Sequence, residues 1–296
     1  STISKAGHNG IMIKGAKSIE ALSSADTFIF DKTGTLTYGE LEVISVESYN
    51  AEWSEEELLN LTASTEEHYF HPVAEAVVKA AKERGFVHMH HEEVEFIVAH
   101  GVKTEVDGKA VVIGSRHFLE DDEKIDFSKH KKEIENSLKD GKTLLYVGYD
   151  GKLLGTIGLA DELRANAKES ILKLRKLGVK NIIMLTGDVK EKAEKIGIEL
   201  GVDEVRAELL PKDKADIVKE LMAQGKKVAF VGDGINDAPA LISAHVGISM
   251  SRGADIAKAT ADISLLKDDI ACVVEAKEYA NKTMSLINTN FNATVG

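Results

Sequence analysis

FIFDKTGTLTYGE, residues 28–40, decides how the rest of the chain is read. An apolar run, Phe28-Ile29-Phe30, delivers Asp31 to a sharp turn made of Thr33, Gly34 and Thr35. A carboxylate at the end of a buried strand, facing a polar turn, has the makings of a nucleophile. A covalent intermediate cleared by water is helped by a second carboxylate two residues on, and that position is Thr33. The stretch therefore combines a group able to form an intermediate with the omission of the group that clears it.

Working outward, apolar runs alternate with helical ones, the pattern of βαβ units. TFIF (27–30) ends in Asp31, NIIML (181–185) in Thr186-Gly187-Asp188, and VAFV (228–231) in Gly232-Asp233-Gly234. VGIS (246–249) and ISLL (263–266) are two further short strands. Amphipathic helices lie between them at 165–178, 190–201 and 211–225, each closed by a glycine as helix C-termini prefer. Continuous apolar runs predict parallel strands covered on both faces. Ligands of such sheets sit at the carboxyl ends of the strands, where Asp31, Thr186 and Asp233 fall.

Residues 43–152 read differently. Two helices (55–64 and 72–85) precede a strand, VEFIV (94–98). A hairpin follows, VKTEV and KAVVIG joined at Asp107-Gly108, then a helix (129–141) and the strand TLLYVGY (143–149). This is an α+β domain with an antiparallel sheet, inserted into the α/β domain formed by residues 1–42 and 153–296. The crossings fall near Tyr38 to Glu42 and Asp150 to Gly155, two connections placed to act as a hinge.

The 296 residues are 43% hydrophobic and 29% charged, enough for two cores. A formal net charge of −12 argues against nucleic acid as a partner. The single cysteine, Cys272, rules out an internal disulfide and fits a reducing compartment. The Asn-x-Thr sequons at Asn60, Asn281 and Asn292 read as chance. No stretch approaches the roughly 18 apolar residues that span a bilayer. The abrupt ends, STISKAGHNG and NTNFNATVG, read as those of a segment cut from a larger protein.

Asp31 alone would be a cap or turn residue, Lys214 a solvated helix residue, and Gly232-Asp233-Gly234 a turn. Together they compose a phosphoryl-transfer site, a chemistry that needs positioned charge above all. Asp31 can attack in line, and Asp233 can share Mg²⁺ with it. Lys214 can neutralise the transferring group, and Thr186 and Asn236 can donate hydrogen bonds to its oxygens. Glycines 34, 187, 232 and 234 let backbone N–H groups approach a phosphate.

These motifs resemble those of the large cytosolic loop of P-type ATPases, within the haloacid-dehalogenase-like superfamily. DKTGTLT (31–37), TGD (186–188) and GDGINDAPAL (232–241) match that family, and the resemblance covers the whole chain. It implies that ATP phosphorylates Asp31 and that the Thr33 carbonyl joins Asp31 and Asp233 around Mg²⁺. It also implies that Lys214 and Asn236 contact the phosphoryl group, that Asp237 supports the site, and that DELRANA (161–167) belongs to the hinge-side core. The opening and closing residues resemble links to membrane helices. The implied setting is the cytoplasmic face of a membrane, with an actuator domain and metal-carrying transmembrane helices as partners in the intact protein. With Thr33 in place of a carboxylate the acyl phosphate should persist, as a pump needs, and no Thr-Gly-Glu loop for assisted hydrolysis is present.

The inserted domain is expected to hold the nucleotide. His71-Pro72, with Glu66 five residues before the histidine, suits a helix start and also resembles the signature of heavy-metal-transporting P-type ATPases. That resemblance gives Glu66 to the adenine and His71 to nucleotide orientation. AHGV (99–102) and IGSR (113–116) add Gly101, Val102, Gly114 and Ser115 as nucleotide-binding residues. Ala99 departs from the usual first glycine and Ser115 from a common asparagine. HMHH (88–91) could hold a soft cation but reads as a solvated loop, and Cys272 and Met250 read as structural. Two rival readings stand beside the pump fragment: a soluble phosphatase of the same superfamily, which Thr33 opposes, and a non-catalytic nucleotide sensor.

Overall fold

In a computed structural model of the chain, every residue of the strand that ends in Asp31 is buried, but not on one face. Phe28 and Phe30 enter one apolar cluster and Ile29 another, the period-two alternation of a strand covered on both sides. The structure describes residues 3–6, 10–68, 71–97, 100–139, 141–234, 237–251 and 260–295.

The described elements run β1 (Ile3–Ala6), β2 (Ile11–Lys14), α1 (Ala16–Ser24), β3 (Thr27–Asp31) and β4 (Thr37–Ser48). Next come α2 (Glu55–Glu66), α3 (Pro72–Glu83), β5 (Glu95–Ile97), β6 (Gly101–Val106), β7 (Lys109–Gly114), α4 (Lys131–Lys139), β8 (Thr143–Tyr149) and β9 (Lys152–Leu163). The remainder is α5 (Ala167–Lys176), β10 (Asn181–Leu185), α6 (Lys190–Leu200), β11 (Glu204–Arg206), α7 (Asp213–Ala223), β12 (Val228–Gly232), α8 (Ala238–Ser243), β13 (Val246–Ser249), β14 (Ile263–Leu265) and α9 (Ala271–Val295).

Two units result. Unit 1 comprises Ser1–Gly39 and Leu163–Gly296, and unit 2 comprises Glu40–Glu162. The sheet of unit 1 has the order β1-β2-β14-β13-β12-β3-β10-β11. The six strands from β14 to β11 are mutually parallel, and the β1–β2 pair is antiparallel at one edge. Numbered among themselves along the chain, the parallel strands follow the doubly wound order, which reverses between β3 and β12. That reversal opens a crevice at the carboxyl ends of the strands, the place where such folds take ligands. One face is covered by residues of α1, α5 and α9, the other by residues of α7 and α8. The glycines expected to close three helices, Gly178, Gly201 and Gly225, all have positive φ.

Unit 2 carries an antiparallel sheet of order β4-β9-β8-β7-β6-β5. The Asp107-Gly108 hairpin turn has φ of 53° and 74°, both positive as its two-residue form requires. Helices α2 and α3 cover one face, and the 118–134 segment with Ile134 of α4 covers the other. The chain leaves this unit ten residues beyond the expected boundary at 152, because Lys152–Leu163 is one uninterrupted strand. Its glycines serve close packing. A Cβ on Gly155 would lie 2.2 Å from the Glu47 carbonyl oxygen, and one on Gly158 2.2 Å from Ser45 Oγ, both on β4.

Unit 1 also buries a lysine. Lys277 of α9 is 2% exposed and its Nζ donates to the carbonyls of Leu22, Ser23 and Ala25 at 3.0, 2.8 and 3.2 Å. These are carbonyls at the end of α1, which a cation satisfies well. Burial lowers the ammonium pKa to about 8, against the charge of Asp26. Lys277→Met removes all three donors at once and is expected to cost about 2–3 kcal/mol of unfolding free energy, read by urea titration followed by far-UV circular dichroism. Among the described residues no helix is long and apolar enough to cross a membrane. Cys272 and Met250 are buried, and burial pushes the Cys272 thiol up to about 11.

Candidate active site

Parallel pairing fixes where the polar strand ends meet. Leu185 of β10 is in register with Asp31, and Val231 of β12 with Phe30. Thr186 and Asp233 therefore follow strands on either side of Asp31. After Asp31 the chain turns tightly over Lys32–Leu36, with Thr33 extended and Gly34 at φ 81°. The Gly34 N–H donates to Thr37 Oγ1 at 3.0 Å. A Cβ at Gly34 would lie 2.5 Å from Asp233 Oδ2, so only glycine lets the turn pass this carboxylate.

One carboxylate oxygen each from Asp31, Asp233 and Asp237 lies within 4.8 Å of the others. Asp31 is 5% exposed and accepts from Lys214 Nζ at 2.7 Å through Oδ2. Asp237 is 1% exposed, and neither of its oxygens has a hydrogen-bond partner among the described residues. Burial, then closeness to Asp31 and the charge of Asp233, pushes its pKa up to about 8, against the pull of Lys214. Three clustered carboxylates with one lysine, and two buried oxygens lacking donors among the described residues, make a hard-oxygen donor set short of positive charge. The cluster fits a small divalent cation such as Mg²⁺. Gly232 is fitted to it: a Cβ there would lie 2.2 Å from Asp237 Oδ2.

The backbone N–H and C=O of Thr186 are engaged with the Arg206 carbonyl and the Leu209 N–H. Its hydroxyl oxygen accepts from the Asp188 N–H at 3.0 Å. Asp188 in turn pairs with the buried ammonium of Lys32. Burial would raise the Asp188 pKa, but hydrogen bonding to and charge of Lys32, with Lys192, bring it below the usual carboxylate value. The pair ties the turn after Asp31 to the loop after β10. Thr33 is exposed, and Asn236 lies outside the described residues.

Sequence reasoning gave Arg164 no role of its own. Its buried guanidinium donates from Nε to the Thr35 carbonyl at 2.8 Å and from Nη2 to the Gly34 carbonyl at 3.1 Å. It also donates from Nη2 to Asp268 Oδ1 at 2.8 Å and from Nη1 to the Asp268 carbonyl at 3.2 Å. One planar fork therefore fixes the turn after Asp31 and joins it to the segment before α9. The signal in sequence was the DELRANA stretch (161–167), placed by resemblance in the hinge-side core without a role for its arginine.

In unit 2 a cavity of about 240 Å³ is lined by Glu66, His71, His100, Gly101, Gly114 and Ser115, with apolar walls that include Leu144, Leu145 and Leu159. Five of the expected nucleotide-binding residues meet there. Val102, the sixth, does not: its side chain is fully buried in the unit 2 core, because alternation along β6 turns it away from the surface that Gly101 presents. Ala99 lies outside the described residues. Gly101 and Gly114 are cross-strand partners, and a Cβ on either would fall within 2.2 Å of a carbonyl oxygen. The pair makes a flat floor with backbone at the surface. His71 is the N-cap of α3, where its Nδ1 accepts from the Val73 N–H at 3.3 Å, so the proton sits on Nε2. Ser115 Oγ accepts from the Phe118 N–H at 3.2 Å.

Glu66 is 4% exposed and its Oε2 has no hydrogen-bond partner among the described residues. Burial pushes its pKa up to about 7. A carboxyl with a raised folded-state pKa contributes stability that is present below its unfolded pKa and is lost as pH rises through 7. Glu66→Gln is expected to stabilise unit 2 by about 3 kcal/mol at pH 8 and by less than about 1 kcal/mol at pH 5. The single tryptophan, Trp53, packs against the unit 2 core, so its fluorescence during urea unfolding reads this unit.

A family model described as a haloacid dehalogenase-like hydrolase matches residues 25–245. The chain is 40% identical over 295 residues to the zinc-exporting P-type ATPase of Mycobacterium marinum (strain ATCC BAA-535 / M), covering 99% of this chain and 40% of that protein. It is 39% identical over 303 residues to a probable cadmium-transporting ATPase of Staphylococcus aureus, covering 100% of this chain and 37% of that protein. It thus spans about two-fifths of the length of these relatives. Among solved structures, a zinc-transporting PIB-type ATPase in the E2.Pi state superposes with a TM-score of 0.86 at 36% identity, over 96% of this chain and 46% of that one. The catalytic domain of the CPx-ATPase CopB-B superposes with a TM-score of 0.71 at 31% identity, over 91% of this chain and 96% of that one.

Proposed function

Since the chain belongs to the haloacid dehalogenase-like hydrolase family, we propose that it is the ATP-binding, autophosphorylating part of a heavy-metal cation-pumping P-type ATPase. The observation that carries this reading is the constellation of buried Asp31 and Asp237 with half-buried Lys214 and Asp233 at the point where the strand order reverses. The relatives named for zinc and cadmium point to a transition-metal dication as cargo. The longer protein then supplies an actuator domain and metal-carrying transmembrane helices, with this part on the cytoplasmic face of the membrane.

ATP is bound by unit 2. The base enters the cavity between Glu66 and the Gly101–Gly114 floor, and His71 and Ser115 orient the nucleotide. Asp31 attacks the γ-phosphorus, the bond to the β-phosphate oxygen breaks, and ADP leaves. Lys214, already at hydrogen-bond distance from Asp31, neutralises the transferring oxygens. The Thr186 hydroxyl and the Asn236 amide donate to them. Asp31, Asp233 and the Thr33 carbonyl would hold Mg²⁺, which supplies charge neutralisation to the phosphoryl group; Asp237 supports this cluster. Position 33 offers a threonine where a carboxylate would activate water, so the aspartyl phosphate outlives the transfer.

The test is incubation with γ-labelled ATP and Mg²⁺. A label on the chain that survives acid and is released by hydroxylamine supports the reading. Rapid release of phosphate from simple esters would favour a phosphatase, and ATP binding without any label would favour a nucleotide sensor.

A further inference from the structure

The His88–His91 segment, read in sequence as solvated surface, is pinned at both ends. The Met89 N–H donates to Ser64 Oγ at 2.8 Å, and the Met89 side chain packs against the unit 2 core. The Glu92 N–H donates to the Glu105 carbonyl at 3.0 Å, and Thr104 Oγ1 donates to the Glu92 carbonyl at 2.8 Å. Between these anchors the rings of His88 and His91 lie with centroids 5.4 Å apart.

Each ring already uses its Nδ1. His88 Nδ1 is 2.8 Å from Glu67 Oε2, and His91 Nδ1 is 2.6 Å from the Glu92 carbonyl oxygen. An ionised carboxylate and a peptide carbonyl only accept, so Nδ1 carries the proton in both rings. In the neutral imidazoles the free lone pair is then on Nε2. A carboxylate or carbonyl holding one nitrogen while the other presents its lone pair is how proteins prepare histidine for a metal. His90 differs: no acceptor among the described residues orients its ring.

We propose that His88 and His91 form a two-histidine site for a borderline transition-metal dication of the Zn²⁺ class. The Nε2 atoms are the ligands, Glu67 fixes the His88 ring, and water completes the coordination shell. Glu67 directly follows Glu66 at the end of α2, so the ion would tether the His88–His91 loop to the helix end that supplies the cavity carboxyl.

Calorimetric titration of the full chain with ZnCl₂ near neutral pH tests this, with excess Mg²⁺ present to occupy the acidic cluster of unit 1. The expected result is a zinc equivalent whose affinity falls at least about tenfold in His88→Ala and in His91→Ala, and about tenfold in Glu67→Gln. His90→Ala should leave it unchanged. Trp53 fluorescence during urea unfolding confirms that each variant is folded. Absence of zinc binding, or equal binding by the His88→Ala/His91→Ala double variant, would overturn the proposal. So would loss of zinc binding only in a His100→Ala/His117→Ala variant, whose rings lie 5.9 Å apart.

Discussion

Asp31→Asn is expected to abolish the hydroxylamine-sensitive label from ATP, to more than about 10³-fold below the parent chain, while ATP binding persists. The two halves of the result separate because the residues concerned lie in different units. Asp31 ends β3 in unit 1, whereas the cavity assigned to the nucleotide is built wholly from unit 2 residues. An amide nitrogen is no nucleophile, and an amide oxygen is a far weaker one than a carboxylate. The substitution also removes one negative charge from a cluster that holds three carboxylates against one lysine. Folding should therefore tolerate it: repulsion of Asp233 and Asp237 is relieved as the ion pair with Lys214 is lost. Calorimetry with ATP and filter-bound label on the same preparation give both readouts. Persistent labelling of the variant would move the nucleophile elsewhere.

Arg164→Met should cost about 3–5 kcal/mol of stability and, in the molecules that remain folded, lower labelling more than tenfold. Methionine fills part of the volume but leaves the carbonyls of Gly34 and Thr35 and the carboxylate of Asp268 without their buried donor. The turn after Asp31 then loses the support that holds its far side. Lysine should rescue only partly, since one ammonium cannot reproduce the planar fork toward two carbonyls and a carboxylate. Urea unfolding by far-UV circular dichroism reads the stability, and label per folded molecule reads the positioning. Full labelling of folded Arg164→Met would leave the arginine a purely structural role.

The parallel sheet was legible because its strands are continuous apolar runs ending in polar turns, a pattern written locally in residues 27–31, 181–186 and 228–233. The meeting of Asp31 with Asp233 followed from that pattern once strand order was known. Other features depend on partners far along the chain. The acceptors of Arg164 are backbone carbonyls and an aspartate more than a hundred residues away, so nothing near it in sequence announces them. Strands β4 and β9 hid behind polar residues and glycines whose purpose, close approach of one strand to the other, exists only after pairing. Val102 was assigned to the nucleotide by its place in a motif, yet strand alternation sends it inward. The histidines at 88 and 91 were visible; the acceptors that orient them were not.

The placement of β3 at the centre of its sheet carries a consequence for synthesis. Its two neighbours, β10 and β12, both lie beyond the last residue of unit 2. As the polypeptide leaves the ribosome, Phe28, Ile29 and Phe30 must wait unpaired while an entire second body is made and collapses on itself. A hydrophobic segment kept waiting in this way is a natural client for chaperones and a seed for misassembly when synthesis is fast or the chain is overproduced.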